Sequence, residues 1–184
     1  SAYLFGFSLM NLFHGALSDS FGRRPVVLWG LALFTLASLG CALSQTIGQL
    51  VTFRALQGMS AGAGMVVSRA IIRDMFPQDE AQRVMSQVTI FFGVAPAIAP
   101  VLGGLLFVQL GWHSIFWFLA LFTLALMAMS VFGFHETLPV EKRQSFHLRP
   151  LMAGYREVGI NLPFLLLSFA AGFNFNGFFL YILS

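Results

Sequence analysis

Gly15-Ala-Leu-Ser-Asp-Ser-Phe-Gly-Arg-Arg-Pro-Val-Val-Leu28 gathers charge and glycine between two long apolar runs. Asp19 stands one helical turn after Gly15, on the same face if the incoming helix continues that far. Gly22 can take the positive φ that a sharp reversal needs. Arg23 and Arg24 follow, and Pro25 occupies the expected first position of a new helix, where its missing N–H is harmless. The stretch reads as a tight charged turn between two apolar helices, and the rest of the chain can be oriented from it.

The surroundings of that turn are strongly apolar. Of 184 residues 58% are hydrophobic and 9% charged, with 22 Phe, whereas a soluble domain carries about 25% charged residues. Apolar runs recur along the whole length, so they are not a secretory signal at one end. The chain opens on Ser1 inside one apolar run and ends on Ser184 inside another, which reads as a piece cut from a longer protein. Its single cysteine, Cys41, allows no internal disulfide and has the apolar neighbours of a buried thiol.

The net charge of +3 would suit nucleic acid in a soluble protein, but its distribution excludes that partner here. All seven acidic residues and nine of the ten basic ones fall in three clusters. These are Asp19 with Arg23 and Arg24, the stretch from Arg69 to Arg83, and the stretch from Glu136 to Glu157. Residues 25–68 hold Arg54 as their only charge and residues 84–134 hold none. A spanning helix takes about 20 residues, so each interval fits two spans and a turn, and two spans return the chain to the side it left. The clusters therefore share one side, which their Lys and Arg mark as cytoplasmic. The turns expected on the other side, 44–49 and 109–114, have neither Lys nor Arg.

The pattern predicts an all-α, polytopic membrane bundle. Helices are expected from the start to about Leu17, then over about 26–43, 49–72, 83–108 and 114–134. Trp29, Trp112, Phe116 and Trp117 suit interfacial aromatic positions. Residues 135–160, polar and carrying Pro139 and Pro150, are expected as one long loop, and 161–184 as a sixth apolar helix.

Gly15, Leu17, Asp19, Gly22, Arg23 and Arg24 match the loop signature Gly-x-Leu-x-Asp-x-x-Gly-Arg-Arg/Lys, and the chain resembles the major facilitator superfamily. The resemblance implies that fold in incomplete form. Residues 1–134 would be helices two to six of the N-terminal half, 135–160 the cytoplasmic connection between halves, and 161–184 the first helix of the C-terminal half. In the family the signature loop latches the two halves in the outward-facing state. Arg69, Arg73 and Asp74 could extend that network or form a solvated charge cluster.

Arg54 is the one charge inside an expected span, and such residues usually face a cavity or a partner; snorkelling to the outer headgroups is the alternative. Its neighbourhood, Leu50-x-x-x-Arg54-x-x-Gln57-Gly58, resembles the fourth-helix motif of proton-driven drug antiporters, in which the arginine is implicated in proton coupling. A fixed guanidinium suits that role because it lowers the pKa of a nearby carboxyl while a translocated proton competes with it. Gly58 and Gly62 form a small-x-x-x-small pair that lets another helix approach. No Asp or Glu falls in an expected span, so the coupling acid is expected upstream of Ser1.

Gly93-Val-Ala-Pro96-Ala-Ile-Ala-Pro100-Val-Leu-Gly103-Gly104 puts small residues and two prolines on one helical face, and a bend is expected. It resembles the fifth-helix antiporter motif, with Ala95 and Ala99 in place of its first two glycines. Pro96, Pro100, Gly103 and Gly104, with 112–117 and Glu136-Thr-Leu-Pro139, resemble the bicyclomycin and chloramphenicol resistance exporters. Asn174 and Asn176, in a Phe-rich run, suit a lipophilic substrate cavity, or simply bond a neighbouring helix.

The resemblance implies a monomeric bacterial inner-membrane exporter of lipophilic drugs, exchanging them for protons and needing no cofactor. Its partners would be the lipid bilayer, the drug and the proton. The four histidines share no metal-ligand spacing, and no phosphate loop or nucleophile elbow appears, so an enzyme is not expected. Transport of another solute (a sugar or amino acid derivative), or a passive channel or scaffold, are the alternatives.

Overall fold

The computed structural model describes the backbone of residues 2–183 and their side chains other than those of 148, 150 and 174–183. The described residues are mostly helical, with no strand among them: α1 (Ala2–Phe21), α2 (Arg23–Ala42), α3 (Ile47–Met75), α4 (Gln78–Leu110), α5 (His113–Gly133), α6 (Leu148–Ile160) and α7 (Leu162–Leu183). Two compact units divide the chain, Ser1–Gln144 and Ser145–Ser184. Three described helices, Arg23–Ala42, Gln78–Leu110 and His113–Gly133, are long and apolar enough to cross a membrane. Asn11, His14 and Asp19 on α1, and Arg54, Gln57 and Arg69 on α3, interrupt the other two long helices of the first unit.

The helix ends differ from expectation in a consistent direction. α1 continues to Phe21, α3 to Met75, and α4 starts at Gln78. Polar residues at a span's end continue the helix into water, where hydropathy does not register them. Asp79 and Glu80 fall in the first turn of α4, a favourable place for negative charge. α2 begins at Arg23, before Pro25. Proline costs nothing in that first turn, because none of those N–H groups has an intrahelical partner. Gly22 takes φ 102° at the reversal.

The stretch 135–160 is not one loop. A 3-10 turn covers Val140–Lys142 and α6 covers Leu148–Ile160. Residues through Gln144 belong with the first unit, where the Gln144 N–H donates to the Asp19 carbonyl at 3.0 Å.

Within the first unit α3 is the central element, packed against α1 on one side and α2 on another, while α2 also packs against α5. Glycine sets the α1–α3 spacing. A Cβ at Gly58 would fall on the Tyr3 carbonyl, and one at Gly62 on the Asn11 side chain. The α2–α5 seam carries a buried hydrogen bond at 2.9 Å between the Thr35 and Thr123 hydroxyls, each also bonded within its own helix. Cys41 is buried.

Candidate functional site: two arginine centres in the first unit

The first centre lies at the charged end, where α1 turns into α2. Arg23 is 6% exposed. Its Nε donates to Asp74 Oδ2 at 2.9 Å, one Nη donates to the Ser18 hydroxyl at 2.7 Å, and the same nitrogen pairs with Asp19. One guanidinium thus ties the end of α1, the start of α2 and the end of α3 together. Asp19 pairs with Arg23, and another residue caps α2.

That residue is Glu136. Its carboxylate accepts from the backbone N–H of Arg23 at 2.9 Å and of Arg24 at 3.3 Å, the free donors that open α2. It also accepts from Leu138 N–H at 3.0 Å and lies 3.7 Å from an Nη of Arg143. Burial alone pushes the Glu136 carboxyl up. The N–H donors of Leu138, Arg23 and Arg24, with the Arg143 charge, outweigh that and hold it below its ordinary 4.5. Arg24 reciprocates by donating to the Val131 carbonyl at 2.8 Å, in the last turn of α5. α5 therefore delivers the anion that caps α2, and α2 delivers the cation that caps α5. Sequence reading placed Glu136 in the third charge cluster and in a resemblance, not as a cap; its signal as a cap was its position just past the end of an apolar helix.

The second centre lies within the helices. The half-buried Arg54 donates to Gln57 Oε1 at 2.7 Å. Gln57, fully buried, donates in turn to the Ser38 hydroxyl on α2 at 2.7 Å. The Arg54 guanidinium carbon lies 4.6 Å from the ring centroid of Tyr3 on α1 and 5.8 Å from that of Phe116 on α5, within cation–π range. Four helices thus converge on one cation, and Gly58 brings α1 close enough for Tyr3 to reach it. Ser38 and Tyr3 were not foreseen, because polar residues scattered in apolar runs carry no spacing signal. Phe116 was foreseen as an interfacial ring and as part of the 112–117 resemblance, not as a partner of Arg54. Among the described residues Arg54 forms no ion pair, in contrast to Arg23.

The remaining candidates lie apart. Pro96, Pro100, Gly103 and Gly104 sit on α4, a helix with Ala81 as its one buried residue among those described. The helix continues through both prolines, and nothing lies within 4 Å of where a Cβ would stand at Gly103 or Gly104. The side chains of Asn174 and Asn176 lie outside the described residues. A cavity of about 610 Å³, not expected from the sequence, opens between α1, α2 and α3. Its lining includes Trp29, Leu33 and Phe53, with His14 and Ser60 as polar members.

Comparison with known proteins places this arrangement. The model of the Major Facilitator Superfamily matches residues 1–184. A bicyclomycin resistance protein homolog of Haemophilus influenzae is 32% identical over 182 residues, 99% of this chain and 46% of that protein. The multidrug resistance protein MdtL of Escherichia coli is 39% identical over 139 residues, 76% of this chain and 36% of that one. The crystal structure of the human organic anion transporter MFSD10 superposes with a TM-score of 0.64 at 29% identity, covering 82% of this chain and 34% of that one. The chain spans less than half the length of each of these relatives. Members of the family are transporters, not enzymes, that act on small substrates from within a membrane, and this chain belongs to the major facilitator superfamily.

Proposed function

We propose that the whole protein is a bacterial inner-membrane exporter that moves lipophilic drugs outward in exchange for protons by alternating access. Arg54 carries the reading. Its orientation is held by a neutral amide and two aromatic rings from three helices, and no carboxylate among the described residues neutralises it. A cation fixed this way favours ionisation of an acid brought near it and releases that acid when a proton arrives. The acid belongs to the part of the protein outside this chain. The resistance functions in the names of the two bacterial relatives support a drug as cargo.

The charged end, with Gly15, Asp19, Gly22, Arg23 and Arg24, is the cytoplasmic gate loop. Residues 135–160 connect the two halves on the same side, Asn174 and Asn176 contribute to the drug cavity, and the small-residue face of α4 meets helices of the rest of the protein. Residues 1–184 alone do not transport, and the whole protein acts as a monomer with no cofactor.

Efflux of a lipophilic dye from vesicles holding the whole transporter tests the reading. An imposed proton gradient should drive it, an uncoupler should stop it, and Arg54→Ala should remove the gradient-dependent part. Equal efflux by Arg54→Ala with the gradient intact and collapsed alike would leave Arg54 outside the coupling step. One observation favours a second reading: the similarity to an organic anion transporter, together with a cation lacking a carboxylate partner among the described residues, suits an anionic cargo held by Arg54. Preference for an anionic dye over a neutral one of the same size, lost in Arg54→Gln, would establish that reading instead.

A further inference from the structure

The cavity between α1, α2 and α3 exists because α1 and α2 each pack along α3 and barely touch one another. α3 forms its floor and the other two helices its sides. Its volume of about 610 Å³ lies in the range of small-molecule sites. α3 contributes Phe53, Leu56 and Met59 to the wall. At about 100° per residue, Arg54 points from the opposite side of that helix, about 160° around from Leu56, and meets Tyr3 and Phe116 there. α2 contributes Trp29, Leu33 and Leu36, while its Thr35 is turned to α5 and bonds Thr123. The cavity therefore opens away from both Arg54 and α5.

The rim of the cavity is apolar and uncovered, with Trp29 69% and Leu36 64% exposed. On the proposed function the coupling acid reaches Arg54 from the other side of α3, so this mouth faces lipid; that placement rests on the role of Arg54, whereas the binding of a ligand does not. The wall specifies the ligand's chemistry. No charged residue lines the cavity, which disfavours an ionised occupant. Trp29 and Phe53 offer ring faces, and Met10 and Met59 offer thioether chains that adapt to different shapes. His14 breaks the apolar pattern. It is 5% exposed, and its Nδ1 makes no hydrogen bond of normal geometry among the described residues, the Met10 backbone giving it only a weak local interaction. The Ser60 hydroxyl, by contrast, donates to the carbonyls of Leu56 and Gln57. A buried ring nitrogen left in that state is costly. An acyl chain offers it nothing, whereas a hydroxyl can donate or accept and so suits either tautomer.

We propose that this cavity binds an uncharged, ring-bearing lipophile drawn from the bilayer, with its rings against Trp29 and Phe53 and a hydroxyl on the His14 imidazole. The site lies on the reverse of α3 from Arg54, so a ligand held here does not take the place of one that meets Arg54.

The test uses the whole transporter in vesicles and the photoreactive probe 4-(hydroxymethyl)benzophenone, with benzophenone as the counterpart lacking the hydroxyl. Irradiation and peptide mapping should show saturable labelling of the cavity wall, foremost at Met10 and Met59. Half-saturation should take about fivefold more benzophenone than hydroxymethyl probe, compared at equal concentration in the bilayer, the value of one ordinary hydrogen bond. His14→Phe should abolish the difference between the probes. Leu33→Trp, on the exposed rim, should fill the cavity and block both while folding as the parent does. Labelling that rises linearly with probe, and is no greater here than at exposed residues elsewhere on the helices, is partition into lipid and would overturn the proposal. So would the absence of labelling at Met10 and Met59, the mark of a cavity filled by a helix from the rest of the protein. Equal half-saturation by the two probes in the parent would overturn the part assigned to His14. Dye efflux reads Arg54 separately, so either reading can fail while the other stands.

Discussion

At the charged end of the first unit, Arg23 meets two carboxylates and a hydroxyl and is 6% exposed. Deeper along the same bundle, Arg54 meets one amide and two ring faces and is only half-buried. Both cations gather several helices, but only the first has its charge answered by carboxylates within the described residues. A neutralised arginine with its partners in place acts as a clamp, because each competing arrangement strands a carboxylate. An arginine held mainly by neutral groups keeps electrostatic capacity for a charge that comes and goes. On the proposed function, Arg23 then matters first for stability and Arg54 first for proton coupling, and substitutions can probe that separation.

The largest effect is expected where the deeper centre depends on backbone contact. Gly58→Val places a branched side chain against the Tyr3 backbone, which forces α1 off α3 and removes Tyr3 from Arg54. A loss of about 3 kcal/mol is expected, read as a fall in thermal unfolding temperature and in the yield of monodisperse protein. Gly64→Ala on the same helix, with nothing within 4 Å of the added Cβ, should behave like the parent. Equal tolerance of both would mean that the α1–α3 approach does not build the site.

Next comes the clamp itself. Arg23→Ala leaves Asp19 and Asp74 without their shared cation. Their side chains are 44% and 23% exposed, so water recovers part of the loss and about 2 kcal/mol of destabilisation is expected. Removing Asp74 as well should restore part of it, and a double-mutant cycle measures the coupling.

Glu136→Gln should cost less, about 1 kcal/mol at neutral pH, because the amide oxygen still caps one N–H while the charge at the start of α2, the Arg24 N–H bond and the partly exposed pair with Arg143 are lost. The pH dependence identifies it. The Glu136 carboxyl is held below its ordinary 4.5 in the folded protein, so its contribution is complete above that value and is lost as pH falls through the depressed one. The stability difference between parent and Glu136→Gln should shrink on acidification across that window. A constant difference would make Glu136 a packing residue rather than a charged cap.

Much of this molecule was legible before its structure. Charge clustering separated the spans, because burying a charge in hydrocarbon is costly enough to be avoided, and six residues at fixed spacing identified the α1–α2 turn. Gly22 adopts the positive φ read from it. The partners were harder to read. Glu136 caps a helix that starts more than a hundred positions earlier, and Tyr3 reaches Arg54 across a helix pair set by Gly58. Such pairings depend on which helices become neighbours, and periodicity within one helix does not contain that information. α6 was missed for a related reason: Pro139 and Pro150 and a high charge density read as loop, yet proline in a first helical turn is compatible with the helix that follows.

The smallest stability effect, and the sharpest use of the contrast, is expected at Arg54. Arg54→Gln removes one hydrogen bond to Gln57 and two cation–π contacts. The neutral side chain no longer needs to be solvated in a low-dielectric setting. These terms oppose each other, and the net change should stay within about 1 kcal/mol, the value of a single ordinary hydrogen bond. Thermal unfolding of Arg54→Gln should therefore fall well short of the shift seen for Arg23→Ala, while gradient-driven efflux falls much further than it does for the clamp variant. If instead Arg54→Gln unfolds as readily as Arg23→Ala, Arg54 is a second clamp, and the charge that answers it is a permanent one supplied by the rest of the protein. Arg54→Lys divides the possibilities further. It retains the charge but loses the planar fork and the ring stacking, so coupling that survives in the lysine variant requires only a cation at this depth, and coupling that fails requires the orientation set by Gln57 and Tyr3.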